Sequence, residues 1–129
     1  MEVYAGNETV LTVDDEPMIR LLVTSTLEKL GYHLLEASNA SGARQMAKEE
    51  EIQLLITDLN MPGENGLELA SWFRKNHPAA KVMMASGDDR RMARKICQLE
   101  RIKLLPKPFS PIELARAVRG ILDGFPPAP

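Results

Sequence analysis

The chain has 129 residues, of which 44% are hydrophobic and 26% are charged. This length fits one domain, and the composition is typical of a globular protein and not of a disordered chain. The 16 basic and 18 acidic side chains give a net charge of -2. This balance argues against a general nucleic-acid-binding protein, because such proteins carry a strong basic excess.

The one cysteine excludes an internal disulfide framework and is typical of a protein in a reducing compartment. No apolar run approaches the ~20 residues that span a bilayer. Residues 1–7 lack the basic start and the apolar stretch of a secretory signal. We therefore expect a single cytoplasmic domain that does not enter a membrane.

Five short apolar segments alternate with five longer segments that have helical spacing. The predicted strands are residues 9–13, 32–36, 54–57, 81–85 and 103–105. The predicted helices are residues 18–30, 40–50, 66–75, 89–99 and 111–122. The third and fourth strands are almost entirely apolar, which is typical of strands covered on both faces. The alternation predicts an α/β fold with a five-stranded, mostly parallel sheet and right-handed crossovers.

The same pattern divides the chain into three parts. Residues 1–8 form an N-terminal extension, residues 9–122 form the domain, and residues 123–129 form a Pro-rich tail. The sequence contains no internal repeat that would indicate a solenoid or an array.

Polar side chains follow four of the predicted strands. Asp14, Asp15 and Glu16 follow the first strand and Asp58 follows the third. Ser86 and Lys107 follow the fourth and fifth strands. Because ligands bind outside the carboxyl ends of the strands in an open parallel sheet, we expect these side chains to converge.

A cluster of carboxylates needs a bound cation or a retained proton, since two ionised groups ~4 Å apart repel by about 4 kcal/mol at an effective dielectric of ~20. Carboxylate oxygens suit Mg²⁺, and a lysine and a hydroxyl on the same edge suit a phosphoryl group. No histidine lies near these strand ends in the sequence, and no Walker-type loop is present. A carboxylate is therefore the remaining candidate for attack on phosphorus.

Each of these signals also has an ordinary structural explanation. Paired acids after a strand often cap the next helix, and an aspartate before a loop often forms a turn. A lone lysine is usually a solvated surface charge. Their combination at four strand ends favours a phosphoryl-transfer site.

At this point the chain resembles the receiver domain of two-component response regulators, the CheY-like family with a flavodoxin-like (βα)5 doubly wound sheet. The resemblance covers about residues 9–122. The motifs that carry it are Leu11-Thr12-Val13-Asp14-Asp15-Glu16-Pro17, Thr57-Asp58-Leu59-Asn60-Met61-Pro62-Gly63, Asn65-Gly66-Leu67-Glu68-Leu69, Ala85-Ser86-Gly87 and Pro106-Lys107-Pro108-Phe109.

The resemblance implies a Mg²⁺ site and a phosphoacceptor. Asp58 matches the residue that a sensor histidine kinase or a histidine phosphotransfer protein phosphorylates. Asp15 and Asp58 match carboxylate ligands of Mg²⁺, Asp14 assists through water, and the backbone carbonyl of Asn60 matches the remaining protein ligand.

The resemblance also implies the groups that hold the phosphoryl group. Ser86 matches the hydroxyl residue that bonds it, and Lys107 matches the lysine that contacts it. The family typically has a cis bond between this lysine and the following proline. Phosphorylation is expected to bias a face made by the fourth helix, the fifth strand and the fifth helix.

One position departs from the family pattern. The family usually has Tyr or Phe three positions before the lysine, where this chain has Leu104. Phosphoryl transfer does not require that ring, but the usual aromatic switch is placed in doubt.

The fourth predicted helix is rich in basic side chains, namely Arg90, Arg91, Arg94 and Lys95. We favour a solvated face, and the alternative is a docking surface for an acidic protein partner or for a homodimer mate.

Two other functions are weighed against a phosphorylated receiver. The first is a pseudo-receiver, a protein-interaction module of the same fold that is never phosphorylated. The second is a Mg²⁺-dependent aspartyl-phosphate hydrolase, whose family places a second aspartate where this chain has Asn60. A stand-alone regulator and a receiver from a hybrid kinase or a longer regulator both stay open.

Overall fold

The computed structural model describes residues 1–87 and 90–124, with Arg90 described by its backbone alone. Within these ranges the chain forms five strands and five α-helices, preceded by a short 3-10 helix at Glu2–Tyr4. The strands are β1 (Thr9–Val13), β2 (His33–Ala37), β3 (Leu54–Asp58), β4 (Lys81–Ser86) and β5 (Lys103–Pro106). The helices are α1 (Pro17–Lys29), α2 (Ala40–Glu49), α3 (Gly66–Asn76), α4 (Arg90–Glu100) and α5 (Pro111–Leu122).

Every predicted strand and helix overlaps an observed element. The ends differ by at most one residue, and the predicted first residue of the fourth helix, Asp89, lies outside the described residues. Most of the predicted tail also lies outside them. No helix in the described ranges has both the length and the apolar character needed to cross a membrane.

The described strands form one parallel sheet in the order β2-β1-β3-β4-β5. This is the doubly wound α/β arrangement that the sequence predicts. The register pairs Val13 with Thr57, Asp58 with Ala85, and Ser86 with Pro106. The carboxyl ends of four neighbouring strands, β1, β3, β4 and β5, therefore lie side by side.

The core lies on both faces of the sheet because side chains alternate along each buried strand. On β3, Leu54 and Ile56 pack with α1 and α5, whereas Leu55 packs with α2 and α3. A smaller cluster joins α4 to β4 and includes Met84 and Cys97. All five residues of β3 are buried, so the strand that precedes the candidate site is held from both sides.

The N-terminal extension is anchored to α5 and is not a free arm. The Nη1 and Nη2 atoms of Arg119 lie 3.1 and 2.7 Å from the two carboxylate oxygens of Glu8. Arg119 also donates to the hydroxyl of Tyr32, and that hydroxyl donates to the carbonyl of Tyr4 at 2.7 Å. This network fixes residues 4–8 against the amino-terminal end of the sheet.

Replacing Arg119 with methionine is expected to lower the free energy of unfolding by about 2 kcal/mol, because a half-buried carboxylate loses its two charge-assisted hydrogen bonds. Arg116→Met is the control, since Arg116 is exposed one turn earlier, and its change should stay within about 0.5 kcal/mol. Urea denaturation of both variants measures the difference in the free energy of unfolding, and equal losses would contradict this role.

The stabilisation by Arg119 depends on pH. The hydrogen bond from Arg119 lowers the pKa of Glu8 below 4.5, so this stabilisation is present above pH 4.5 and is lost as the pH falls through the lowered pKa.

Candidate functional site

Asp58 is the last residue of β3 and only 6% of its surface is exposed. The backbone around it is fixed on both sides. Leu59 donates its N–H to the carbonyl of Ala85 on the neighbouring strand β4. Gly66, at the start of α3, donates its N–H to the carbonyl of Leu59 at 2.8 Å. The segment 59–65 is therefore a loop closed at its base.

Lys107 follows β5, and its side chain reaches across the ends of the strands. Its backbone N–H donates to the carbonyl of Ser86, and the bond from Lys107 to Pro108 is cis, as the resemblance implies. The Nζ atom lies 2.8 Å from Oδ2 of Asp14, 3.4 Å from Oδ2 of Asp58 and 3.4 Å from Oε1 of Glu16. One ammonium group thus faces three carboxylates.

These three carboxylates form a compact group. One oxygen from each of Asp14, Glu16 and Asp58 lies within 4.8 Å of the other two. Asp14 and Asp58 are buried, whereas Glu16 is exposed at the rim. Asp14 also accepts a hydrogen bond from the backbone N–H of Glu16 at 2.9 Å, which shapes the turn between β1 and α1.

The electrostatics of the pocket show a shortage of positive charge. Burial raises the pKa of Asp58 to about 6, with the charge of Asp14 adding to the shift and Lys107 opposing it. Burial alone would lower the pKa of Lys107, but the hydrogen bond and charge of Asp14, together with Asp58 and Glu16, raise it above its ordinary value. Lys107 is therefore cationic at neutral pH and does not fully compensate the carboxylates.

The donor set fits Mg²⁺. The group supplies carboxylate oxygens, which this small hard cation prefers, and it leaves a net negative charge beside a single ammonium. Aspartate oxygens that remain after pairing with Lys107 would hold the cation. Nitrogen and sulfur ligands of the kind that select transition metals do not belong to this group among the described residues.

The remaining predicted site residues lie around this group. Ser86 ends β4 and is 2% exposed, and its strand neighbours β3 at Asp58. Asn60 is exposed in the loop, and its backbone hydrogen-bonds the carboxylate of Asp58. Asp15 is exposed, and its side chain is outside the group of three carboxylates.

Glu16 is the member of the group to which the sequence analysis gives no role in the site, although it follows Asp14 and Asp15 at the same strand end. Its contact with Lys107 is found only in the structure. The choice between Asp15 and Glu16 depends on the turn after β1, where the hydrogen bond from Glu16 N–H to Asp14 directs the chain.

Two further features lie on the α4 side. Leu104 is half-buried and packs against the cluster that joins α4 to the sheet. An open groove of about 390 Å³ on the outer surface of α4 is lined by Arg91, Arg94, Lys95 and Gln98. Met92 and Leu99 on the same helix are exposed.

Comparison with known proteins identifies the family. The family described as "Response regulator receiver domain" matches residues 10–119. The chain belongs to this family. The fold described above is the one that the resemblance implied.

Two longer proteins contain a segment similar to this chain. It is 34% identical over 122 residues to "DNA-binding transcriptional regulator NtrC" of Azospirillum brasilense, covering 93% of this chain and 25% of that protein. It is 33% identical over 122 residues to "Sensor kinase CckA" of Brucella abortus (strain 2308), covering 92% of this chain and 13% of that protein. The chain thus spans a quarter or less of these two relatives.

A solved structure agrees with the fold. The signal receiver domain of an HD domain-containing protein from Pseudomonas fluorescens Pf-5 superposes with a TM-score of 0.83 and 27% identity. The match covers 92% of this chain and 96% of that chain.

Proposed function

We propose that the chain is a phosphorylated receiver in which Asp58 accepts a phosphoryl group from a sensor histidine kinase or a histidine phosphotransfer protein. The observation that carries the proposal is the position of Asp58. It is a buried carboxylate at the end of β3, 3.4 Å from the ammonium of Lys107 and grouped with two further carboxylates.

The proposed step is an in-line displacement at phosphorus. A carboxylate oxygen of Asp58 forms a bond to phosphorus while the bond between phosphorus and the donor atom breaks, and the donor keeps that electron pair. Because its pKa is about 6, Asp58 is mostly ionised at pH 7 to 8 and can act as the nucleophile. Lys107 and Ser86 would donate hydrogen bonds to the phosphoryl oxygens.

Mg²⁺ is the proposed cofactor, held by Asp14, Asp15, Asp58 and the backbone carbonyl of Asn60. When bound, it supplies positive charge that neutralises the carboxylates and the phosphoryl oxygens. Asp15 is exposed beside the group, and it is within one residue of Asp14 on the same turn. Glu16, which contacts Lys107, stands at the rim of the same pocket.

We further propose that the chain signals by contact and does not turn over a substrate. Phosphorylated Asp58 carries up to two negative charges, which Lys107 and Ser86 would draw toward the strand ends. The face formed by α4, β5 and α5 would change with them and bind a downstream protein or a second copy of the chain. The basic groove on α4 fits an acidic segment on that partner.

Incubation with acetyl phosphate and Mg²⁺ is expected to raise the intact mass by one phosphoryl group, and Asp58→Asn should abolish the gain. Asp123→Asn, which removes an aspartate from the opposite end of the molecule, should leave the gain unchanged. Wild-type protein that never gains mass would support the pseudo-receiver. Sustained turnover of a generic phosphate ester would instead indicate a hydrolase.

A further inference from the structure

Arg44 on α2 makes a contact that neither the fold nor the candidate site explains. Its guanidinium forms an ion pair with Glu64, which lies in the loop 59–65 between β3 and α3. The same guanidinium lies over the ring of Trp72 on α3, 5.5 Å from the ring centroid. Arg44 thus joins α2, the loop and α3.

This contact is held more firmly than an ordinary surface ion pair. The side chains of Arg44 and Glu64 are 29% and 23% exposed, so water screens their charges only in part. The Nε atom of Arg44 is buried and has no hydrogen-bond partner in the described part of the chain. Glu64 and the face of Trp72 are therefore the groups that orient the guanidinium.

The loop that Arg44 contacts is the loop that follows Asp58. It begins at Leu59 and contains Asn60, and the hydrogen bond from Gly66 N–H to the carbonyl of Leu59 closes it. Asn65 then caps α3 by accepting a hydrogen bond from the N–H of Glu68. Because the loop is short and closed, the position of Glu64 restricts the path open to Asn60.

We propose that Arg44 is a positioning residue for the Mg²⁺ site. By holding Glu64, it fixes the loop so that the backbone carbonyl of Asn60 is placed for the cation beside Asp58. This inference rests on the proposed function, because it concerns the same metal site. Arg44 touches neither the cation nor the phosphoryl group, so its effect is on metal affinity and not on the transfer step.

The chain provides its own optical probe of this contact. Trp72 is the only tryptophan, and the guanidinium of Arg44 packs on its ring. A change in the loop that moves Glu64 also moves Arg44 and so changes the surroundings of Trp72. Binding of Mg²⁺ is therefore expected to change the fluorescence of Trp72 in the wild-type protein, and Glu64→Gln should remove that change.

The test is a titration with Mg²⁺ alone, followed by isothermal titration calorimetry and by Trp72 fluorescence. Arg44→Met and Glu64→Gln should each weaken Mg²⁺ binding roughly tenfold, at the low end of the range for residues that orient metal ligands. The double variant should be no weaker than either single variant, because both changes break one contact. Lys48→Met, one turn later on α2 and exposed, should bind Mg²⁺ like the wild type.

The rate of phosphorylation by acetyl phosphate separates positioning from a general loss of structure. Arg44→Met should need more Mg²⁺ for half-maximal rate but should reach the wild-type rate at saturating Mg²⁺. Unchanged Mg²⁺ affinity in folded Arg44→Met or Glu64→Gln would overturn the inference while leaving the proposed function intact. A wild-type protein that neither binds Mg²⁺ nor accepts a phosphoryl group would instead overturn the proposed function.

Should Arg44→Met fail to fold, Glu64→Gln carries the test. That substitution keeps the size of the side chain and removes only its charge from the loop. Thermal unfolding in chelator establishes first that each variant is folded.

Discussion

Gly66→Ala is expected to destabilise the protein by about 3 kcal/mol or more, although alanine ordinarily strengthens a helix. Gly66 is the first residue of α3 and packs directly against the backbone of Asp58, the proposed phosphoacceptor. A Cβ atom there would lie 2.0 Å from the carbonyl oxygen of Asp58, 2.9 Å from its carbonyl carbon and 3.1 Å from Cα of Leu59. These are backbone atoms of a buried strand end, so they cannot move aside as a flexible side chain would.

Gly42→Ala is the matched control, since Gly42 also lies in the first turn of a helix. Its added Cβ would meet only the Cβ of Ala37 and the Oδ1 of Asn39, both at 3.5 Å, which is ordinary contact distance. We expect this variant to be stabilised by about 0.5 to 1 kcal/mol, because alanine loses less entropy than glycine in a helix.

Urea denaturation in the presence of chelator compares the two variants without help from a metal. Gly66→Ala should also lose phosphorylation by acetyl phosphate, since relief of the clash displaces Asp58. Similar stabilities for the two variants would show that Gly66 is not packed against the carbonyl group of Asp58.

The strand-end arrangement could be predicted because it follows from topology. Parallel strands finish at one edge of the sheet, and apolar runs show where each strand ends. That logic brings Asp14, Asp58 and Lys107 to one pocket before any side chain is placed. The observed distances from the ammonium, 2.8 Å to Asp14 and 3.4 Å to Asp58, agree with it.

The direction of individual side chains after β1 could not be predicted. Asp15 and Glu16 are adjacent acids in the same short turn, and hydropathy does not distinguish them. The hydrogen bond between Asp14 and the N–H of Glu16 sets the turn, so Glu16 faces Lys107 and Asp15 faces solvent. Such a local bond depends on dihedral angles that a composition pattern does not contain.

The hydropathy pattern also could not predict contacts between residues that are far apart in the sequence. Arg119 and Glu8 are 111 residues apart, and Arg44 and Glu64 are 20 apart. Charged residues at such positions are usually solvated, so nothing in the sequence marks them as structural.

The observed strand β3 ends at Asp58, one residue after the predicted end. The apolar run stops at Ile56, but pairing with β4 continues to Asp58.

Asp58→Asn is expected to stabilise the metal-free protein at pH 7.5 by about 2 to 3 kcal/mol. The carboxyl group of Asp58 has a pKa of about 6 in the folded chain, against an ordinary value of 3.8. Burial is the main cause, so the folded state holds the proton more tightly than the unfolded state does. Ionisation of Asp58 therefore costs free energy of folding, at about 1.4 kcal/mol for each pH unit between the two values.

The sign of the pH dependence follows from that difference. Between pH 3.8 and about 6 the folded state binds more protons than the unfolded state, so the stability attributed to Asp58 falls as the pH rises. Above about pH 6 the full penalty is present, and below pH 3.8 it is absent. Asparagine carries no charge at any of these values, so the advantage of Asp58→Asn should grow from pH 4 to pH 7 and then level off.

Asp15→Asn is the control, because it removes the same charge from an exposed position one residue after Asp14. Its effect on metal-free stability should stay within about 0.5 kcal/mol.

Mg²⁺ should narrow the difference in stability between the wild type and Asp58→Asn. Wild-type protein is expected to gain about 2.7 kcal/mol when the cation reaches 100 times its Kd, whereas Asp58→Asn lacks one of the proposed ligands and should gain less. Thermal unfolding at pH 4, 5.5 and 7.5, with chelator and with Mg²⁺, measures all of these differences. An Asp58→Asn variant that is less stable than the wild type in chelator at pH 7.5 would mean that Lys107 compensates Asp58 fully and that the pocket has no need of a cation.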